Sequence, residues 1–150
     1  MKDDGRILGI DYGSKRVGMA ISDPTRIIAQ GLPTVENDPR LLERIAAIVR
    51  AENARLVVVG MPYAPDGGPG AKGREISQFI DRLRAIVTVP VETWDESHSS
   101  RNAQDAFIAG GMKRKQRRLS RAQGLVDRMA ARLMLQEYLD SDHHRGSTPA

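Results

Sequence analysis

Four carboxylates in this 150-residue chain stand where chemistry could use them: Asp11, Asp95, Glu96 and Asp127. Asp11 closes the apolar run R-I-L-G-I-D, and Asp95-Glu96 closes V-E-T-W-D-E. Asp127 falls about two turns into an apolar-periodic stretch near the C-terminus. Ligands in open α/β sheets gather outside the carboxyl ends of strands, so acids that end two strands are candidates for one site. If those strands lie close together and the last helix crosses that edge, Asp11, Glu96 and Asp127 meet. Three converging carboxylates repel one another unless a divalent cation compensates, and hard oxygen donors of this kind suit Mg²⁺ or Mn²⁺. Two such ions about 3.5–4 Å apart form an arrangement that hydrolyses phosphodiesters. Asp95 is the alternative ligand to Glu96, because adjacent strand residues point to opposite faces and only one of the pair faces Asp11. Taken singly, each acid also has an ordinary role as a turn cap, a solvated strand end or an exposed helix residue.

Basic residues supply the complementary half. Residues 113–121 read K-R-K-Q-R-R-L-S-R, six basic positions in nine, immediately ahead of the stretch that carries Asp127. Like charges so crowded do not help folding, so Lys113, Arg114, Lys115, Arg117 and Arg118 are read as contacts to backbone phosphates. Lys15 and Arg16, just after Asp11, and Arg101, after the Asp95-Glu96 pair, are further candidates. The loop Met61–Gly73 is rich in glycine and proline and leads into a helix, where exposed N–H groups and Lys72 favour an anion. It lacks the spacing of an NTPase P-loop. Aromatic residues make up 4% of the chain, which argues for backbone and shape recognition over base stacking.

These groups need a scaffold, and the periodicities describe one. Arg6–Asp11 reads as a buried strand, R-V-G-M-A-I-S-D as its hairpin partner, and Ile27–Val35 as a third extended piece. Asn37 or Asp38 caps a helix over residues 39–53 with Pro39 at its first position, and Leu41, Leu42, Ile45, Ile48 and Val49 form its apolar face. Arg55–Gly60 is a continuous apolar strand of the parallel-sheet kind. A helix marked by Ile76, Phe79, Ile80, Leu83 and Ile86 follows, then a strand over Val91–Asp95 and a helix from Ser99 to Ala109. The last helix begins at a Ser120–Gln123 capping box, with Val126, Met129, Ala130, Leu133 and Met134 as its stripe. An antiparallel meander followed by strands alternating with helices implies a mixed five-stranded sheet with helices on both faces. Residues 1–140 are expected to form a single domain and 141–150 a disordered tail.

Composition narrows the class. With 23 Lys and Arg against 19 Asp and Glu the net charge is +4, which permits a nucleic-acid partner without demanding one. No cysteine is present, which excludes thiol catalysis, disulfide staples and thiolate zinc sites. A chain of this length buries about 68–70% of its unfolded surface and needs no staple to fold. The opening residues carry acids and glycine where a secretory signal needs an apolar core, and no stretch approaches the roughly 20 apolar residues of a membrane span, so a cytoplasmic protein is expected. A monomer or weak homodimer fits the absence of an identifiable apolar patch.

The residues that carry the chemistry also form a familiar combination. Ile7–Asp23 (I-L-G-I-D-Y-G-S-K-R-V-G-M-A-I-S-D), Val57–Pro62, Asp66-Gly67, Trp94–Glu96 and Val126–Ala131 closely resemble the YqgF family in order and spacing, over about residues 6–140. The resemblance implies an RNase H-like three-layer fold related to the RuvC resolvases. It implies activity as a Holliday-junction resolvase or as a nuclease maturing the precursor of 16S ribosomal RNA, with the acidic cluster on Asp11, Glu96 and Asp127. One departure stands out. The family usually has Arg after the Asp-Glu pair, whereas this chain has Ser97, which lacks Arg's charged fork; Arg101 is the candidate substitute. Two other functions compete with a metal-dependent nuclease. A nucleic-acid-binding accessory protein would keep the basic run and use the acids only in the fold. A phosphotransferase is suggested by G-I-D-Y-G-S, but would need a second domain to close over ATP.

Overall fold

A computed structural model describes residues 5–62, 70–95 and 119–146, with side chains of the last helix described for 128–141. Five strands form one sheet: β1 (Arg6–Asp11), β2 (Arg16–Ser22), β3 (Ala29–Glu36), β4 (Ala54–Met61) and β5 (Val91–Asp95). Their order is β3-β2-β1-β4-β5. β2 runs antiparallel to β1 and to β3, whereas β4 is parallel to β1 and β5 parallel to β4. β1 therefore lies at the centre, which is why I-L-G-I is a continuous apolar run instead of an alternating one.

Helices cover both faces among the described residues. Helices α1 (Leu41–Ala51) and α2 (Gly70–Ile86) pack over Leu8, Ile10, Val57 and Val59. Helix α3 (Leu119–Gly146) packs over Ile7, Ala20 and Val58 from the other side. This is the three-layer, mixed-sheet architecture that the periodicities implied. Close seating of α3 depends on Gly9, where an added Cβ would lie 3.0 Å from Leu135 Cβ and 3.4 Å from both of its δ carbons.

Several boundaries differ from expectation, each for a local reason. Helix α1 begins at Leu41, with Arg40 as N-cap, because Asp38 closes a preceding turn: its Oδ1 accepts from the Arg40 amide at 2.9 Å and from Arg44 Nη1 at 2.8 Å. Strand β3 begins two residues late. The Asp23 carboxylate captures the amides of Thr25, Ile27 and Ile28 at 3.0, 2.8 and 2.7 Å, which holds that segment in a loop and out of the ladder. Leu119 is already helical, so Ser120 sits inside α3 instead of preceding it, and α3 continues past residue 140 to Gly146. The helix expected over 99–109 lies outside the described residues. No helix among the described residues is long and apolar enough to cross a membrane.

The buried stripe of α3 is also rotated from the one expected. Ala130, Ala131, Met134, Leu135, Tyr138 and Leu139 are buried, while Leu133 is 36% exposed. The small Ala130-Ala131 pair lets the helix approach the sheet, and the larger residues follow at i+4.

Candidate functional site

The parallel strands β1, β4 and β5 end together. Ile10 pairs with Val59, Gly60 with Trp94 and Met61 with Asp95, so Asp11, Met61 and Asp95 stand at one edge of the sheet. Side-chain alternation then sorts the acids. Along β1, Ile7 and Gly9 face α3 while Leu8 and Ile10 face α1 and α2, which puts half-buried Asp11 on the face of α3. Along β5, Val91 belongs to the face of α1 and α2, whereas Glu92 and Trp94 meet Tyr138 of α3. Asp95 shares the parity of Val91 and so lies on the face opposite Asp11. Glu96 falls outside the described residues.

Position 127 is carried to the same edge by α3. Leu135 lies over Gly9, and positions 127, 131 and 135 follow one another at i+4 spacing toward the carboxyl end of β1. At 100° per residue, position 127 falls within about 30° of the mean direction of the six buried residues. It sits closer to the centre of the buried arc than the stripe read from the sequence implied. Arg128 beside it donates through Nε to the Leu32 carbonyl at 3.1 Å, pinning this turn of α3 to the middle of β3, the outermost strand.

The rim of the edge is polar and organised. Asn37 ties down the turn after Asp11, donating through Nδ2 to the Gly13 carbonyl at 2.8 Å and through its amide to the Lys15 carbonyl at 2.9 Å. Lys15 is exposed in that turn, and Arg16 is half-buried at the start of β2. Lys72 comes from the first turn of α2 to the same place, with its Nζ 3.3 Å from Ser14 Oγ and 5.5 Å from the centre of the Tyr12 ring. Ser14 in turn donates to Glu75 Oε2 at 3.4 Å. Lys72, distant in sequence, thus joins Asp11 and Lys15 at one edge. Arg101 and the run from Lys113 to Arg118 lie outside the described residues.

No group of three potential metal-ligating His, Asp or Glu occurs among the described residues. The donors the edge does present are oxygens, and half-buried Asp11 faces the helix that carries position 127. That donor chemistry fits a hard divalent cation and not a soft one. Sequence reasoning passed over Arg128 and Arg132, although two arginines at i+4 spacing beside a candidate acid were visible as a signal.

Comparison with known proteins agrees with this fold. A family model described as "RuvX: Holliday junction resolvase" matches residues 5–141. A relative from Syntrophus aciditrophicus is 38% identical over 141 residues, covering 91% of this chain and 89% of its own. Another, from Trichormus variabilis, is 41% identical over 135 residues, covering 89% and 86%. Both bear the name "Putative pre-16S rRNA nuclease". Among solved structures, Fowlpox virus resolvase with its Holliday junction substrate superposes with a TM-score of 0.56 at 17% identity, covering 91% of this chain and 97% of that one. T. thermophilus RuvC with a Holliday junction gives 0.55 at 15% identity, covering 93% and 96%. At such identities the likeness carries the fold, which is RNase H-like. From the match over residues 5–141 and the level of identity to these relatives, the chain belongs to the RuvX Holliday junction resolvase family, the YqgF group its motifs resemble.

Proposed function

We propose that the chain is a divalent-metal-dependent nuclease that hydrolyses phosphodiester bonds in structured nucleic acid, with Asp11, Glu96 and Asp127 as its acidic cluster. The observation that carries this reading is the placement of Asp11 at the centre of the sheet edge, on the face crossed by α3, with position 127 on the buried arc of that helix. Of the Asp95-Glu96 pair, Glu96 is the better candidate, because the alternation of β5 turns Asp95 toward α1 and α2. When bound, Mg²⁺ or Mn²⁺ supplies the charge that lets carboxylates share one edge and lowers the pKa of an attacking water. The chain's own part is to hold the carboxylates in place and to steer the phosphate backbone to them through Lys15, Arg16, Lys72 and the basic run at 113–118. The relatives' name favours the precursor of 16S ribosomal RNA as substrate, and the family description favours branched DNA; a cytoplasmic site of action is part of this proposal.

A cleavage panel tests this directly. Precursor-like RNA stem-loops, single strands and four-way DNA junctions are incubated with Mg²⁺, Mn²⁺ or EDTA. Cleavage is expected only with metal, and Asp127→Asn should reduce it by about 10²–10³-fold, the scale of losing one charge-stabilising group. Its nucleic-acid affinity should stay within twofold of wild type. Wild-type cleavage by Asp127→Asn would remove Asp127 from the cluster, undiminished cleavage in EDTA would refute the metal dependence, and binding without cleavage of any substrate would leave the accessory-protein reading in its place.

A further inference from the structure

Beside the acidic edge, a cleft of about 560 Å³ opens between the outer edge of β3 and α3. Its floor and lip are Ile28, Ala29, Gln30 and Gly31, and its helical wall is Arg128, Met129 and Arg132. Among the described residues, two arginines and no carboxylate line it. Arg128 and Arg132 are successive turns of one stripe, about 6 Å apart along the axis. The stem of Arg128 lies over Gly31, where an added Cβ would come within 2.5 Å of Arg128 Cγ, and its Nε is held by the Leu32 carbonyl. Arg132 is exposed and lines the cleft, and no hydrogen bond or ion pair engages its guanidinium among the described residues.

We propose that this cleft holds the nucleic-acid backbone flanking the acidic edge, with Arg132 and Arg128 contacting successive phosphates. The inference rests on the nuclease reading and adds a surface to it. Arg128 follows position 127 directly, so a strand lying across the carboxyl end of β1 is continued by the cleft along α3. Guanidinium groups suit phosphate because their planar donors match its oxygens. Exposed Ile27 and Ile28, 53% and 63% accessible, offer sugar or base edges an apolar lip beside the charges.

Two features weigh against a second copy of this chain as occupant. Three backbone groups along this side are already engaged, which weakens it as a template for an added strand: the Leu32 carbonyl by Arg128, the Ala29 amide by Gln136 Oε1 at 2.9 Å and the Ile27 carbonyl by Gln136 Nε2 at 2.8 Å. A two-fold interface would also bring the same patch, arginines included, against itself.

The test measures binding in EDTA, so that cleavage plays no part. End-labelled RNA stem-loops with a single-stranded flank and four-way DNA junctions are titrated by anisotropy between about 50 and 200 mM salt. The probe proteins are wild type, Arg132→Gln, Ile28→Glu and the control Arg50→Gln, whose exposed side chain lies on α1 across the sheet. Arg132→Gln should weaken binding at low salt about fivefold and reduce the salt slope by about 0.7–0.9, the value of one neutralised phosphate. Ile28→Glu should weaken binding similarly by placing a negative charge at the lip, and Arg50→Gln should stay within twofold of wild type. An unchanged slope for Arg132→Gln in a wild type that binds and cleaves overturns this inference alone. A wild type that binds neither probe overturns the nuclease reading as well. Sedimentation of the same proteins covers the remaining case: a wild-type dimer that Ile28→Glu dissociates without loss of affinity makes the cleft a self-association surface and also overturns the proposal.

Discussion

Gly9→Val tests whether the seat of α3 sets the acidic edge. The distances define the perturbation: a Cβ at residue 9 already stands 3.0 Å from Leu135 Cβ and 3.4 Å from both Leu135 δ carbons. The γ carbons of valine extend about 1.5 Å further, into space those δ carbons fill. Leu135 is fully buried and has nowhere to turn, so α3 must rise by on the order of 1 Å. Overpacking on this scale costs about 2–3 kcal/mol, a fraction of the stability expected of a domain this size, so the variant stays folded at 25 °C. A catalytic group displaced by about 1 Å loses on the order of 10²-fold in rate, so cleavage should fall far more than the folded fraction. Leu135→Ala in the same chain removes the δ carbons that collide, and the pair should be coupled favourably by about 1–3 kcal/mol, with part of the activity restored. Urea denaturation gives the coupling, and metal-dependent cleavage measured where all four proteins are folded gives the rate. A folded Gly9→Val protein with wild-type cleavage would refute the claim that α3 delivers position 127 to Asp11.

Two other expectations are independent of that seat. Burial works against the Asp23 carboxylate, but hydrogen bonds from Ile28, Thr25 and Ile27 outweigh it and hold its pKa well below the ordinary 3.8. A pKa lowered by folding contributes stability above the unfolded value, and this is lost as pH falls through the folded one. Asp23→Ala should therefore cost about 1–2 kcal/mol at pH 7, allowing for solvent screening, and the deficit should shrink in urea titrations carried below pH 3.8; a pH-independent deficit would contradict the assignment. Replacing Lys113, Arg114, Lys115, Arg117 and Arg118 with Gln should flatten the salt dependence of binding by about 0.7–0.9 for each phosphate left without its cation. Asp127→Asn should keep the wild-type slope, and an unchanged slope in the loop variant would make those residues a solvated face.

The strands were legible because burial on both faces writes itself into β1 and β4 as unbroken apolar runs, and the turn and loop residues that follow them mark their ends. The placement of Asp11 followed from that and from the rule that α/β sites collect at carboxyl strand ends. The rotation of α3 did not follow. Its apolar residues at 129, 130, 131, 133, 134, 135, 138 and 139 cover so wide an arc that periodicity alone accommodates two faces. The choice between them is made by the sheet, through the space over Gly9 and the depth to which Ala130 and Ala131 can sink. The late start of β3 had a local signal in Asp23-Pro24-Thr25, since an Asp carboxylate readily captures amides further along the chain. The end of α3 had none: Asp140–Gly146 carries no apolar stripe, and the helix there continues from the packed turns before it.

The division of labour between sheet and helix gives the candidate site one rigid half and one adjustable half. Asp11 ends a central strand flanked by β2 and β4, so its backbone moves only if the sheet does. Position 127 depends on how a single helix lies, and among the contacts that seat it are Leu135 against Gly9 in the core, Arg128 on the Leu32 carbonyl, and Gln136 on Ala29 and Ile27. The two polar contacts occupy backbone groups of an edge strand, which also blunts β3 as a template for strand addition. Both are charged or amide side chains at a rim that solvent reaches, so each is individually weak, and the buried apolar stripe, with Leu135 seated directly on Gly9, carries most of the seating energy. Changes along the α3 stripe that touch neither acid are therefore expected to act on the geometry between Asp11 and position 127, and changes at Leu135 should act most strongly.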